Sequence, residues 1–423
     1  MFKSRLRAGW MAGCVCLALL LSVLFGCGTP APPTATPEPV KIYFAFAADR
    51  ANHYADLIER FNEQHPGITV ERKTAQSENT WEYLLKEKQI DVLEFPSVAL
   101  LFETLYEQEQ VLDLLPFIQA AESIDLDDYY PGLLEPYRRD GGLWALPAEI
   151  DLAVMYYNKD LFDQFGVRYP GFEWTWEEFL DTAQQIRAPN ENIYGFVTYP
   201  SLTIPFVYQH GGKLLDDWYA PTRATLDDPL TVETVEWLAS LVHDYDTTPS
   251  FEMAAQQFAN DGNAGYVFWR KKVGIYLGLL SERDGASWGP GARWEMEWGI
   301  VPLPRDVQAS TVGFGYSYMI LKDTAYPDEC WKWLTFLSEQ LPVYAMPARK
   351  SIANSALWEE TVGAVTADVA RESIEYALLY SSAQSGYDQA INGYSEAVLA
   401  AMNGQSTAQE ALTQAQLALQ TEN

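Results

Sequence analysis

Cysteine is almost missing from the body of this 423-residue chain. Cys14, Cys16 and Cys27 fall in or at the end of an N-terminal apolar segment, which leaves only Cys330 further on. One thiol makes neither a disulfide framework nor a thiolate metal site. Set in Asp328-Glu329-Cys330-Trp331-Lys332-Trp333, it is expected to be an inert, buried thiol on a helix. Histidine is as scarce: His53, His65, His210 and His243 are scattered, with no His-Glu-x-x-His pattern, so no metal site is expected. No Gly-x-Ser-x-Gly elbow and no phosphate-cradling glycine-lysine loop occurs, and no cofactor is expected. Positive charge is also short, with 28 Lys and Arg against 58 Asp and Glu and a formal net charge of −30. That balance lacks the basic footprint of nucleic-acid binding and argues against adhesion to anionic lipid. Carboxylates are so abundant that some pair must fall at glycosidase-like separation by chance, so such pairs carry no weight.

The length is comfortable for two domains, and 48% apolar with 20% charged residues is the composition of a globular chain. Aromatics are plentiful, with 14 Trp and 25 Tyr. They fit either dense cores or flat apolar faces for ligand rings.

The first residues read as an export device. Lys3, Arg5 and Arg7 precede an apolar run from Trp10 to Phe25, about 16 residues and just short of a membrane span. Leu24-Phe25-Gly26-Cys27 resembles the lipobox of bacterial lipoproteins, although Phe25 is bulkier than usual. The resemblance implies a signal peptide over 1–26 and a diacylated Cys27 as the mature N-terminus. Residues 27–40 follow as a linker in which five of the twelve residues 28–39 are proline. At roughly 3 Å per residue, such a stretch holds a domain some tens of ångströms above a lipid surface.

Strands and helices then alternate. Lys41-Ile42-Tyr43-Phe44-Ala45-Phe46 is a strand; Tyr54, Leu57, Ile58 and Phe61 recur at helical spacing; Pro66-Gly67 stops the helix and 68–72 resumes as a strand. A helix around 81–88 leads to a strand over 90–95. This βαβ start implies parallel pairing. Ala153-Val154-Met155-Tyr156-Tyr157 is strand-like, and Thr175-Trp176-Glu177-Glu178 is a capping box opening a helix over 179–186. Gly141-Gly142, Gly211-Gly212 and Asp227-Asp228-Pro229 read as turns, and the pattern from Ser373 onward as helical.

Several segments in order resemble the sugar-type extracytoplasmic solute-binding proteins of ABC importers, the maltose-binding-protein superfamily. They begin with Ala145-Leu146-Pro147, Met155-Tyr156-Tyr157-Asn158-Lys159-Asp160-Leu161-Phe162 and Thr175-Trp176-Glu177-Glu178-Phe179. Tyr194-Gly195-Phe196, His210-Gly211-Gly212-Lys213-Leu214, 298–304 and Gly313-Phe314-Gly315-Tyr316-Ser317-Tyr318-Met319-Ile320 continue them. One departure stands out. After Phe268, where the family has a Gly-Lys-Ala-Ala-Met-like run, this chain has Trp269-Arg270-Lys271-Lys272-Val273-Gly274-Ile275. The resemblance implies an α/β, two-lobe periplasmic-binding-protein-like fold (type II) with a ligand cleft between the lobes. The first lobe would take 41–149 plus 304–345 and the second 150–303 plus 346–423. The hinge would lie near Glu149-Ile150, Pro302-Leu303 and Ala345-Met346. It also implies a monomer that takes up a small ligand, a mono- or oligosaccharide, and delivers it to permease subunits of an ABC importer. On this reading the protein is no enzyme and sits lipid-anchored on the outer face of the cell membrane. Two other readings stay open: a secreted glycan-active lipoprotein enzyme, and a sensor presenting its solute to a membrane receptor.

In open α/β sheets ligands bind beyond the carboxyl ends of strands, which selects Phe46, Asp49, Glu94 and Phe95. The competing roles are core packing for Phe95 and helix capping for Asp49. The resemblance adds Asp151, at a position that contacts sugar hydroxyls, against a solvated hinge charge. It also adds Tyr316, in a cleft-facing glycine-aromatic turn. Trp269 and Arg270 pair a stacking surface with a fork donor, or are strand core and surface ion pair. Arg349, after the third crossover, bonds ligand hydroxyls or bridges the lobes. One of Trp288, Trp294 and Trp298 is expected to stack on the ligand. Aromatics beside acidic acceptors suit neutral polyols and also cations.

Overall fold

The computed structural model describes residues 39–75, 78–87, 89–96, 101–121, 124–258, 264–288, 293–342, 344–380 and 387–421. The export segment, Cys27 and nearly all of the proline-rich linker lie outside them.

The βαβ start forms where the apolar pattern requires it. β1 (Val40–Ala47) feeds α1 (Ala51–Gln64), which buries Tyr54, Leu57 and Phe61, and β2 (Ile68–Ala75) returns parallel to β1 from Val40↔Ile68 to Ala47↔Ala75. After α2 (Glu78–Lys86), β3 (Val92–Pro96) pairs in parallel with the other edge of β1. The strand expected around 153–157 is the second half of a longer one, β4 (Leu146–Asn158). The capping box is present: Thr175 accepts from the Glu178 amide while Glu178 bonds back, and α3 (Trp176–Ile186) follows. β5 (Tyr194–Val197), α4 (Pro229–His243), α5 (Ala264–Trp269), β6 (Val273–Leu279) and β7 (Trp298–Val301) complete the middle of the chain. β8 (Thr311–Ile320) then runs back beside β4, and α6 (Pro327–Ser338) buries Cys330 fully, pushing its thiol up to about 12 by burial. β9 (Met346–Pro347), β10 (Ala377–Leu379), α7 (Tyr387–Met402) and α8 (Ala408–Thr421) close the chain.

Two expectations are corrected. The stretch from Ser373 onward is not wholly helical, because Ala377–Leu379 pairs in parallel with Thr311–Gly313 of β8. Gly315-Tyr316-Ser317-Tyr318 is no turn; it lies inside β8 and pairs with both β3 and β4.

The sheet runs β2-β1-β3-β8-β4-β6-β5, with β7 and β9 on β4 and β10 on β8. β4 and β8, antiparallel neighbours, are the strands that cross the middle of the sheet. The first half of β4 pairs with β8, and its second half, from Ala153, pairs with β6 and β7. Every residue from Glu149 to Tyr156 is buried. Ile150, Leu152, Val154 and Tyr156 pack into one core, and Ala153 and Met155 into the other. A strand buried on both faces reads as a continuous apolar run and anchors both cores at once.

Candidate functional site

The crossing of β4 and β8 sets the site. Asp151 lies directly opposite Phe314, and Glu149 opposite Tyr316; the register shifts between Tyr316 and Ser317. Such an irregularity re-aims side chains and loosens pairing, which suits the border between two lobes. A pocket of about 260 Å³ opens here, lined by Pro96 from β3, Asp151 from β4, Leu279 from β6, Phe314, Gly315 and Tyr316 from β8, and Tyr199, Ser201, Leu202 and Glu282 from two loops. Its size lies near the lower end of small-ligand sites, roughly 300–1,000 Å³. A larger groove of about 510 Å³ between α1 and segments 339–341 and 351–357 has no Tyr, Trp or Phe in its lining and touches neither crossing strand.

The acidic groups are held, not loose. Asp151 is 6% exposed and accepts from the Ser281 amide at 2.9 Å. Burial pushes its carboxyl up to about 6, against the Ser281 hydrogen bonds that pull it down. Glu282 accepts from the Tyr276 hydroxyl at 2.6 Å and from the Leu279 amide at 2.8 Å, which folds the chain tightly as it leaves β6. Tyr156 donates to the Leu279 carbonyl at 2.8 Å and braces the same corner.

Behind the Tyr316 wall lies a buried ionic knot. Arg50, 4% exposed, reaches from the turn after β1 to Glu94 on β3 and Glu149 on β4. Its guanidinium carbon stands 4.0 Å over the Tyr316 ring. The Tyr54 hydroxyl also bonds Glu94 and stands 3.1 Å from the Tyr318 hydroxyl. Burial raises the Glu94 carboxyl, with Arg50 pulling the other way. Removing one member of such a knot leaves a buried charge alone, at a cost of about 3–5 kcal/mol. It therefore fixes the first lobe to both crossing strands and positions Tyr316.

The structure brings only some of the expected residues together. Asp151 and Tyr316 line the pocket, and Glu94 stands behind Tyr316 as a partner of Arg50. Phe46 is fully buried against Phe44 and Tyr54, and Phe95 packs between Phe102 and Tyr137. Both therefore take the core role. Asp49 is exposed on the turn after β1. Trp269 and Arg270 end α5 at the start of β6, whereas the pocket meets the far end of that strand at Leu279. Neither is strand core: Trp269 is 39% exposed with its indole on the Arg293 carbonyl, and Arg270 faces the Tyr266 ring. Lys271, in the departing loop, holds φ at 57°, the left-handed conformation that a glycine adopts at no cost. Arg349 binds Asp128 at 2.8 Å, away from the pocket. Trp294 and Trp298 pack on Tyr156, and the Trp288 side chain lies outside the described residues. Tyr199, Ser201, Leu279 and Glu282 were missed, although each follows or ends a strand, the signal used elsewhere. Arg50 gave no local signal.

Known proteins share this fold. An arabinooligosaccharide-binding protein of Halalkalibacterium halodurans is 24% identical over 242 residues, 52% of this chain and about half, 51%, of the relative's length. An ABC substrate-binding protein of Listeria monocytogenes in complex with cycloalternan superposes with a TM-score of 0.75 at 19% identity, covering 91% of this chain and 99% of that one. A solute-binding protein of Thermotoga lettingae bound with α-D-tagatose gives 0.71 at 19% identity, over 90% and 98%. At these identities the superpositions show the two-lobe α/β fold. Both crossing strands and the entire pocket lining fall within residues 47–340, which match the bacterial extracellular solute-binding proteins, and the chain belongs to that family.

Proposed function

We propose that this protein takes up a mono- or oligosaccharide in the pocket between Asp151, Glu282 and Tyr316, by closure of its lobes, and delivers it to the permease subunits of an ABC importer. The observation that carries this reading is the pocket itself. Acceptor carboxylates and the rings of Tyr199, Phe314 and Tyr316 converge on the strands that join the lobes. Carboxylates accept hydroxyl hydrogen bonds of the stronger, charge-assisted kind, and flat rings take the apolar face of a sugar. The arabinooligosaccharide, cycloalternan and tagatose of the relatives support the same ligand class. The lobes divide as 41–149 with 304–345 and 150–303 with 346–423. The position of Glu149 and Ile150 in the first half of β4, shortly before its partners change at Ala153, with Met346 paired to Ile150, supports that division. The protein works by binding alone, as a monomer held at the outer membrane face through acylated Cys27.

A thermal-shift screen against neutral saccharides tests the function. A ligand at about 100 times its dissociation constant adds roughly 2.7 kcal/mol to the folded state. At least one neutral mono- or oligosaccharide is expected to raise the melting temperature and to be recovered intact after overnight incubation. Hits confined to amino acids or peptides would remove the saccharide assignment; conversion of the sugar would make the protein an enzyme.

A further inference from the structure

The charges around the pocket do not balance. Its described lining holds two carboxylates, Asp151 and Glu282, and no Lys, Arg or His. Behind the walls stand Glu94 and Glu149 with Arg50, which is committed to both of them. The remaining guanidinium, Arg283, donates to the carbonyls of Leu280 and Tyr344. Four carboxyl groups thus face two guanidiniums that are already engaged. Asp151 is 94% shielded, and no cation among the described residues forms an ion pair with it; its donor is Ser281, a neutral group.

A carboxylate withdrawn from water and reached by Arg50 and Arg283 only through space, with no direct ion pair among the described residues, is costly, and a ligand that brings a cation into contact relieves that cost. We propose that the pocket selects a saccharide carrying a protonated amine, with Asp151 as its counter-ion and Tyr199, Phe314 and Tyr316 as the rings it packs on. This rests on the saccharide reading above and goes beyond it. A hydroxyl or an acetamide gives Asp151 a hydrogen bond but no charge. An ammonium gives both, and aromatic walls add cation–π attraction. Uronates and sugar phosphates meet like charge and are rejected. The preference also depends on pH. The groups around Asp151 are Glu282 and Arg283 on the loop after β6, Arg50 behind Tyr316, and the Tyr156 and Tyr316 hydroxyls. In that setting burial holds Asp151 up to about 6, so protonation below that pH removes the counter-ion.

The test is calorimetric titration of the full chain with matched sets: glucosamine, galactosamine, mannosamine and the β-1,4-linked glucosamine disaccharide, each beside its hydroxyl parent and its N-acetyl form. In at least one set the amine is expected to bind about 10-fold tighter than its parent near pH 7.5, with the advantage shrinking to about 3-fold or less near pH 5. Asp151→Asn is expected to erase the amine advantage, so that amine and parent no longer differ in affinity. Parents or N-acetyl forms that bind as tightly as the amine in every set overturn the proposal and leave the saccharide reading intact. Failure of every sugar to bind overturns both. An amine preference that survives in Asp151→Asn overturns the counter-ion assignment.

Discussion

Asp151 stores instability in the ligand-free protein. Its carboxyl is held at about 6 against an ordinary 3.8, so the folded chain binds this proton more tightly than the unfolded chain does. The associated stability is fully present below about pH 4 and is lost as the pH rises through about 6. By pH 7 the buried charge costs roughly 3 kcal/mol. Asp151→Asn, similar in shape but uncharged, is expected to melt at a higher temperature than the parent near pH 7, with the gap closing near pH 4. Scanning calorimetry across that range checks it, and a lower melting temperature at pH 7 would contradict it. Asp151 and Tyr316 were legible in the sequence because the segments around them resemble those of the solute-binding family. The strand-end rule did less well: it finds a position along a strand but not the face a side chain takes. Phe44, Ala45 and Phe46 are all buried, so β1 offers no alternation from which to read a face. Glu94 looked like a ligand acceptor because its partner Arg50 lies 44 residues away, a pairing that only the folded chain makes.

At the level of elements the alternation of strands and helices was plain, since long amphipathic helices and apolar runs declare themselves by period. β10 did not, because three residues between helices carry no periodic signal. The full length of β4 was hidden by Pro147, Glu149 and Asp151, polar or strand-breaking residues in a buried strand. Gly195, by contrast, has a packing reason that the sequence could not state. β5 crosses α3 so closely that a Cβ at Gly195 would come within 2.2 Å of the Ala183 carbonyl oxygen. Backbone cannot yield as a flexible side chain does, so helix and strand must separate. Gly195→Ala is expected to destabilise the protein by roughly 1–3 kcal/mol, read as a lower urea midpoint with unchanged slope. An unshifted midpoint would mean that the second lobe packs less tightly there than the coordinates require.

Across the whole molecule, charge and tether act against each other. With a net charge of −30 the chain is repelled by anionic headgroups. On the lipoprotein reading proposed above, attachment depends on lipid at Cys27, where one acyl chain alone would bind only marginally and two would hold. Exported behind a signal cut by the ordinary signal peptidase, Cys27→Ser is therefore expected in the soluble extracytoplasmic fraction, unlabelled by an alkyne fatty acid. The parent stays with the membrane and takes the label. Sugar affinity should be equal in the two, because every described residue lining the pocket falls between Pro96 and Tyr316. A parent chain that takes up no fatty acid yet remains membrane-bound would show that the apolar run 10–25 is retained as the anchor, and the lipoprotein reading would fall while the binding site stood.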